Sequence, residues 1–297
     1  MPRVRIFSWN PRRSSLPPRL VRRLPVGSRI NNFGDLLGPL VVGRILAQHG
    51  IDPNAARRNC TLFSVGSVLH FAQDDDVIWG TGANGKMPVD MYAFRSLDVR
   101  AVRGPLTRDF LRGRGIECPS TFGDPALLLA RLAPELFGAV ARDQHRITVV
   151  PNFNDFAAFA AFAAGPDVLD PRAPLDSCLR RIAGSRFVVG SSLHGIVIAE
   201  SLGIPARVIS SGAEHPFKYE DYYLGTGRIG VEAAGSVEEA IAMGGRNLPE
   251  FDADRLLAAF PVDLWTGRRM APWAPPRSGR GPEGPNGSPE LRGYAAS

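Results

Sequence analysis

Short apolar runs alternate with stretches of helical periodicity along most of the chain. Val4 to Ser8 predicts a first strand, and Leu36, Leu37, Leu40, Val41, Ile45 and Leu46 recur at helical spacing, predicting a helix from about Asp35 to Gln48 closed by Gly50. Strands are predicted at 61–65, 77–79 and 99–102, followed by a helix opened by Pro105 and by an apolar run at 126–130 behind Gly123-Asp124-Pro125. A second series starts at Ile147 to Val150. It continues with a Phe/Ala-rich helix at 155–164, a strand near Val168, a helix at 175–183, a strand at 187–189 running into a helix that stops at Gly203, and a strand at 206–210. Ser236-Val-Glu-Glu239 is a capping box starting a helix through Met243, and a short helix is expected at 252–260. Alternating strand and helix of this kind predicts the α/β class with mostly parallel sheets. The pattern lapses over 131–146, which divides the chain into 1–138 and 139–265, and the Pro/Gly/Arg/Ser-rich stretch 272–297 is expected to be a disordered tail.

Charge and composition narrow the picture. The chain has 297 residues and a net charge of +6, yet residues 1–34 hold eight arginines and no acid, so the basicity belongs to one end and the rest is slightly acidic. Pro11, Pro17, Pro18 and Pro25 break any amphipathic helix in this arm, about 1–30. Without interleaved aromatics or a nucleic-acid motif, no nucleic-acid partner is expected; an anionic surface, reached as a peripheral contact, suits the arm better. No apolar run approaches a membrane span and no signal core opens the sequence, so cytoplasmic residence is the expectation. Cys60, Cys118 and Cys178 are scattered and odd in number, which indicates neither a disulfide framework nor a zinc site.

Candidate chemistry concentrates at Phe187-Val-Val-Gly-Ser-Ser-Leu-His194-Gly195, where a histidine stands at a strand-to-helix junction. The free backbone N–H groups and positive dipole of a helix start would draw an anion beside His194 and favour its protonated form. Gly80-Thr-Gly82-Ala-Asn-Gly85 matches the G-x-G-x-x-G dinucleotide pattern, but Pro88 disfavours the helix that must follow. Asn31-Asn32-Phe-Gly34-Asp35 precedes the first helix, where Asp35 is placed to cap it or to hold a sugar hydroxyl. Arg100 and Arg103 bracket a strand end, either as an anion clamp or in ion pairs with nearby acids. Phe217 to Arg228 mixes aromatics, charges and glycines and reads as a loop covering a polar ligand; Glu200 lies in the helix after His194, to orient a hydroxyl or face solvent.

Taken in order, Asn32-Phe-Gly-Asp35, Gly66-Ser-Val-Leu-His70-Phe-Ala, Ile78-Trp-Gly-Thr-Gly82, Asp98-Val-Arg-Ala-Val-Arg-Gly-Pro105, Phe122-Gly-Asp-Pro125, Ser191-Ser-Leu-His-Gly195 and Phe217-Lys-Tyr-Glu-Asp-Tyr-Tyr223 resemble the polysaccharide pyruvyl transferase family, most closely its xanthan ketal-pyruvate transferase branch. The resemblance implies two Rossmann-like domains facing a cleft, similar to GT-B glycosyltransferases. It also implies transfer of pyruvate from phosphoenolpyruvate to two hydroxyls of a hexose in a lipid-linked glycan or exopolysaccharide, with phosphate released and neither cofactor nor metal required. On that reading His194 is the general acid. Arg103, Arg100, Lys218, Ser191, Ser192 and Leu193 hold the donor, and Asn32, Asp35, Gly82, Asn152, Glu200 and Tyr222 line the acceptor side or the cleft. Two positions depart from the family pattern: Ser192 stands where many members have arginine, and Asn152 where related sequences often have histidine. A nucleotide-sugar glycosyltransferase on the same fold, and a glycan-binding protein without chemistry, are the competing expectations.

Overall fold

The computed structural model describes residues 2–13, 28–138, 140–143, 145–160 and 167–268. The first half builds β1 (Val4–Ile6), β2 (Arg12–Arg13), β3 (Ser28–Arg29), β4 (Cys60–Phe63), β5 (Val77–Trp79) and β6 (Asp98–Ala101). The second supplies β7 (Ile147–Val149), β8 (Asp167–Val168), β9 (Phe187–Gly190) and β10 (Ala206–Val208). Two four-stranded sheets result, in the orders β1-β4-β5-β6 and β10-β9-β7-β8, and every pairing in both is parallel. The short apolar runs become buried strands: all of β5, β9 and β10 is buried, as suits sheets covered on both faces. β2 and β3 form a separate antiparallel pair within the basic arm.

Ten helices interleave with the strands among the described residues. They are α1 (Leu37–Gln48), α2 (Pro105–Gly113), α3 (Leu129–Leu132), α4 (Phe156–Ala160), α5 (Leu175–Ala183), α6 (Leu193–Ser201), α7 (Phe217–Gly225), α8 (Val237–Met243), α9 (Ala253–Ala258) and α10 (Asp263–Thr266). The helix expected from Asp35 begins instead as a single 3-10 turn, Phe33–Leu36, before α1 takes over. Apolar residues of both halves share one core, in which Leu37, Val41, Leu127 and Leu128 join Ile196, Val197 and Val208. The last helices return to the first sheet: Trp79 Nε1 donates to Leu256 O at 2.9 Å, Trp265 Nε1 to Pro53 O at 3.0 Å, and Asp263 accepts from Arg100.

The segment 217–228, expected as a loop, is largely helix. In α7 the residues Lys218, Tyr219, Asp221, Tyr222 and Tyr223 are all buried, because their polar atoms find partners inside: Asp221 pairs with Arg103, and Tyr222 Oη donates to Glu200. No described helix is long and apolar enough to cross a membrane. The expected tail at 272–297 and the outer part of the helix expected at 155–164 lie outside the described residues.

Candidate active site

In the second sheet β7 pairs with β8 on one side and β9 on the other, so connections leaving β7 and β9 diverge at a topological switch point, where open parallel sheets bind ligands. A cavity of about 510 Å3 opens there. It is lined by Asn152 and Phe153 after β7, Ser192 to His194 after β9 and Glu214 after β10. From the first sheet come Trp9 after β1, Ser67 and His70 after β4, and Asn84, Lys86 and Met87 after β5. The C-terminal edges of both sheets therefore meet across one cavity, with Asn32 and Asp35 entering from the turn before α1 and Lys218 from α7. A second cavity of about 650 Å3 shares Glu214 with it and is lined by no histidine, lysine or arginine, so it offers an anion nothing comparable.

His194 sits in the first turn of α6. Ser192 caps this helix, its Oγ accepting from Gly195 N at 3.3 Å. Glycine at 34 lets the imidazole in: a Cβ there would lie 2.2 Å from His194 Nδ1, although the backbone of Gly34 needs no left-handed angle. Close approach, not turn geometry, fixes that residue. His194 Nε2 is shielded from water and has no hydrogen-bond partner among the described residues. Burial, with the charges of Lys218 and Arg103, pushes His194 down to about 3, so it is neutral.

Asp35 does not cap a helix. Its Oδ2 accepts from Asn32 Nδ2 at 2.7 Å, while burial, partly offset by that bond and by Lys218, raises its carboxyl to about 7. Lys218 Nζ bonds Glu214 Oε2 at 3.0 Å, and Lys86 Nζ reaches the other oxygen of Glu214 at 2.7 Å from the opposite half. Burial lowers Lys218 against the pull of Glu214; in Glu214 itself burial acts upward, but the two lysines outweigh it and the carboxyl is lowered. Lys86, Glu214, Ser67 and Asn84 were absent from the sequence-based set. Asn84 lies in the glycine-rich segment and Lys86 just past it, where the dinucleotide pattern rests on the glycines alone, and Glu214 carries no motif.

Other expected site residues stand behind the cavity. Arg103 is fully buried: Nε meets Asp221 Oδ2 at 3.0 Å, and its terminal nitrogens meet Ser67 Oγ at 2.5 Å and Ala83 O at 2.6 Å. It reaches the site by holding Ser67 and through its charge, which helps keep His194 neutral. Arg100 points away, into Asp98 and Asp263, as the ion-pair alternative had it. Gly82 admits the Arg103 guanidinium, 2.5 Å from where a Cβ would be, while Gly80 and Gly85 make room for Pro125 and Phe217. The G-x-G-x-x-G glycines are thus consumed by packing, and between β5 and β6 the chain makes only a 3-10 turn, Val89–Met91, in place of the α-helix the pattern needs. Ser191 Oγ donates to Asp155 Oδ2 at 2.6 Å and accepts from Asn152 N at 3.0 Å, so it braces the strand-end loops against each other. Glu200 neither faces solvent nor lines the cavity: it binds Arg228 at 2.6 Å and Tyr222 Oη at 2.5 Å in the interior, which removes Tyr222 from the cavity as well.

The ordered motifs and this geometry agree with what the chain matches. Residues 32–212 match the polysaccharide pyruvyl transferase family, and the chain belongs to that family. Among its relatives is the succinoglycan biosynthesis protein ExoV of Rhizobium meliloti, 30% identical over 171 residues, which cover 54% of this chain and 52% of that protein. The chain thus spans about half the length of this curated relative. A functionally uncharacterized protein of Klebsiella pneumoniae superposes with a TM-score of 0.45 at 10% identity, over 75% of this chain and 87% of the other, too distant a likeness to carry an argument.

Proposed function

We propose that this chain transfers pyruvate from phosphoenolpyruvate to two hydroxyls of one hexose in a polysaccharide or its lipid-linked precursor, forming a cyclic ketal and releasing phosphate. The observation that carries the reading is His194, its Nε2 unpartnered, lining at the start of α6 a cavity whose lysines, Lys86 and Lys218, share the carboxylate of Glu214. A donor bearing carboxylate and phosphate would exchange with Glu214 for those ammonium groups and take the backbone N–H of Leu193, since that of Ser192 is already given to Val150 O. Membership of the family supports pyruvyl transfer, and the ExoV relative bears succinoglycan biosynthesis in its name. A GT-B-like pair of Rossmann-like units is the architecture we infer, supported by two parallel sheets whose C-terminal edges face one cavity.

The chemistry needs one proton delivered to C3 of the donor, attack of a hydroxyl on C2, and departure of phosphate as the second hydroxyl closes the ring. His194, neutral at rest, takes the proton of the attacking hydroxyl; as imidazolium it then serves as the acid for the departing phosphate. The arginine-rich arm would bring the site to an anionic lipid surface carrying the acceptor. Incubation with phosphoenolpyruvate and a panel of hexosides should release phosphate and add one pyruvate ketal to the sugar. His194→Ala should lower the rate by about a hundredfold or more. Consumption of a nucleotide sugar, with phosphoenolpyruvate untouched, would sink this reading.

A further inference from the structure

We propose that Asp35 is the acid that protonates C3 of the donor, working opposite His194 so that the two side chains divide the proton transfers of ketal formation between them. The inference rests on the pyruvyl-transfer reading above and adds a role that reading leaves unassigned. The geometry comes first. Asp35 lines the same cavity as His194, in the turn Phe33–Leu36, and the neighbouring Gly34 is the surface against which the imidazole packs. The two groups come from opposite halves of the fold and are held together by that contact. Two anchors hold the start of the turn: Phe33 N donates to Pro171 O at 2.9 Å and Asn31 Nδ2 to Arg172 O at 2.7 Å. One carboxylate oxygen of Asp35 is held by Asn32; among the described residues the other accepts no hydrogen bond.

The ionisable groups facing this carboxyl across the cavity are His194, Lys218, Glu214, Lys86 and His70. Lys218 favours its ionised form and Glu214 its neutral form, and burial outweighs both, leaving the group near half-protonated at neutral pH. His194, in the same cavity, is held as a base. Two groups pushed in opposite directions by one environment are the arrangement that acid and base chemistry at one pH requires.

The proton account closes. Asp35 gives its proton to C3, making the methyl group, while the first hydroxyl bonds C2 and loses its proton to His194. The C2–O bond to phosphate then breaks, the electron pair leaving with phosphate, which takes the His194 proton. The second hydroxyl bonds C2, and its proton restores Asp35. Donor plus diol give ketal plus phosphate, and both side chains return to their starting states without a further reactant.

The test uses the full chain with phosphoenolpyruvate and a productive hexoside. Asp35→Asn, an isostere of the protonated acid, should bind phosphoenolpyruvate, followed by fluorescence of the cavity-lining Trp9, within about threefold of wild type, while ketal formation falls by about a hundredfold or more. Added formate should restore part of the rate to Asp35→Ala and none to His194→Ala. Wild-type turnover should decline as pH rises through about 7, where the acid ionises, and the Asn variant should lose that decline. Near-wild-type turnover by Asp35→Asn, or an unchanged alkaline decline without formate rescue, would overturn the assignment while leaving the transferase reading intact. Absence of phosphate release from the wild-type chain with every acceptor would instead overturn the transferase reading and this inference with it.

Discussion

Single residues in this cleft are chosen for approach as much as for chemistry. His194 is useful because Gly34 lets its ring lie against the backbone, and the 2.2 Å that a Cβ would leave to Nδ1 cannot be absorbed without moving either the ring or the turn bearing Asp35. Gly34→Ala should therefore cost about a hundredfold in kcat/KM, the scale expected when a reacting group is displaced by about 1 Å. In the His194→Ala background, where the ring is gone and only the Cβ of residue 194 at 3.2 Å is left to meet, the same substitution should cost far less in melting temperature than in the wild type; wild-type kinetics in the single variant would show that the contact positions nothing. Arg103 shows the opposite economy. Its motif suggested an anion clamp, but its guanidinium is spent on Asp221, Ser67 and Ala83 inside the protein, and it acts on the site through Ser67 and through its charge on His194.

Between elements, the joint of α6 and α7 decides which residues belong to chemistry and which to construction. Glu200 of α6 meets Tyr222 of α7 and Arg228 just beyond it, all buried, so Glu200→Ala would leave Arg228 charged and unpaired in the interior and should cost about 3–5 kcal/mol in urea unfolding. The KM for acceptor should stay near wild type in the folded fraction; a raised KM without lost stability would return Glu200 to acceptor binding. This joint also marks where sequence reading reached its limit. Strands β5, β7 and β9 and helices α5 and α8 follow their apolar periodicity and capping signals, because those signals act within a few residues: Ser236 Oγ does accept from Glu239 N at 3.1 Å. In α7, by contrast, the charges and tyrosines that suggested a loop are buried against partners far away in sequence, Asp221 by Arg103 and Tyr222 by Glu200. His194, Asp35, Asn32, Asn152, Ser192 and Lys218 were legible as cavity residues because each sits at a strand or helix end marked by glycine or proline, or in a motif; Lys86 and Glu214 were not, since their pairing across the cleft depends on how the two sheets meet.

For the molecule as a whole, closing the cleft over ionisable groups sets a cost in stability that the proposed chemistry would repay in rate. The raised carboxyl of Asp35 means that, between its ordinary value of 3.8 and about 7, the unfolded chain has released a proton that the folded chain keeps, so folding stability falls as pH rises through that window and stays reduced above it. His194 has the mirrored signature: between 6.5 and about 3 the unfolded chain takes up a proton that the folded chain refuses, so its penalty grows as pH falls. Asp35→Asn should accordingly unfold at higher urea than wild type at pH 8, with the gain shrinking towards zero near pH 4. His194→Gln should show its gain at pH 4 and none at pH 8. Urea midpoints at pH 4, 5.5 and 8 read both effects, and a gain for Asp35→Asn that is the same at all three would place the source in packing instead of the carboxyl. The opposed slopes would be the thermodynamic imprint of an acid and a base kept ready in one cavity, a cost expected where a site is shaped for reactivity at the expense of the fold.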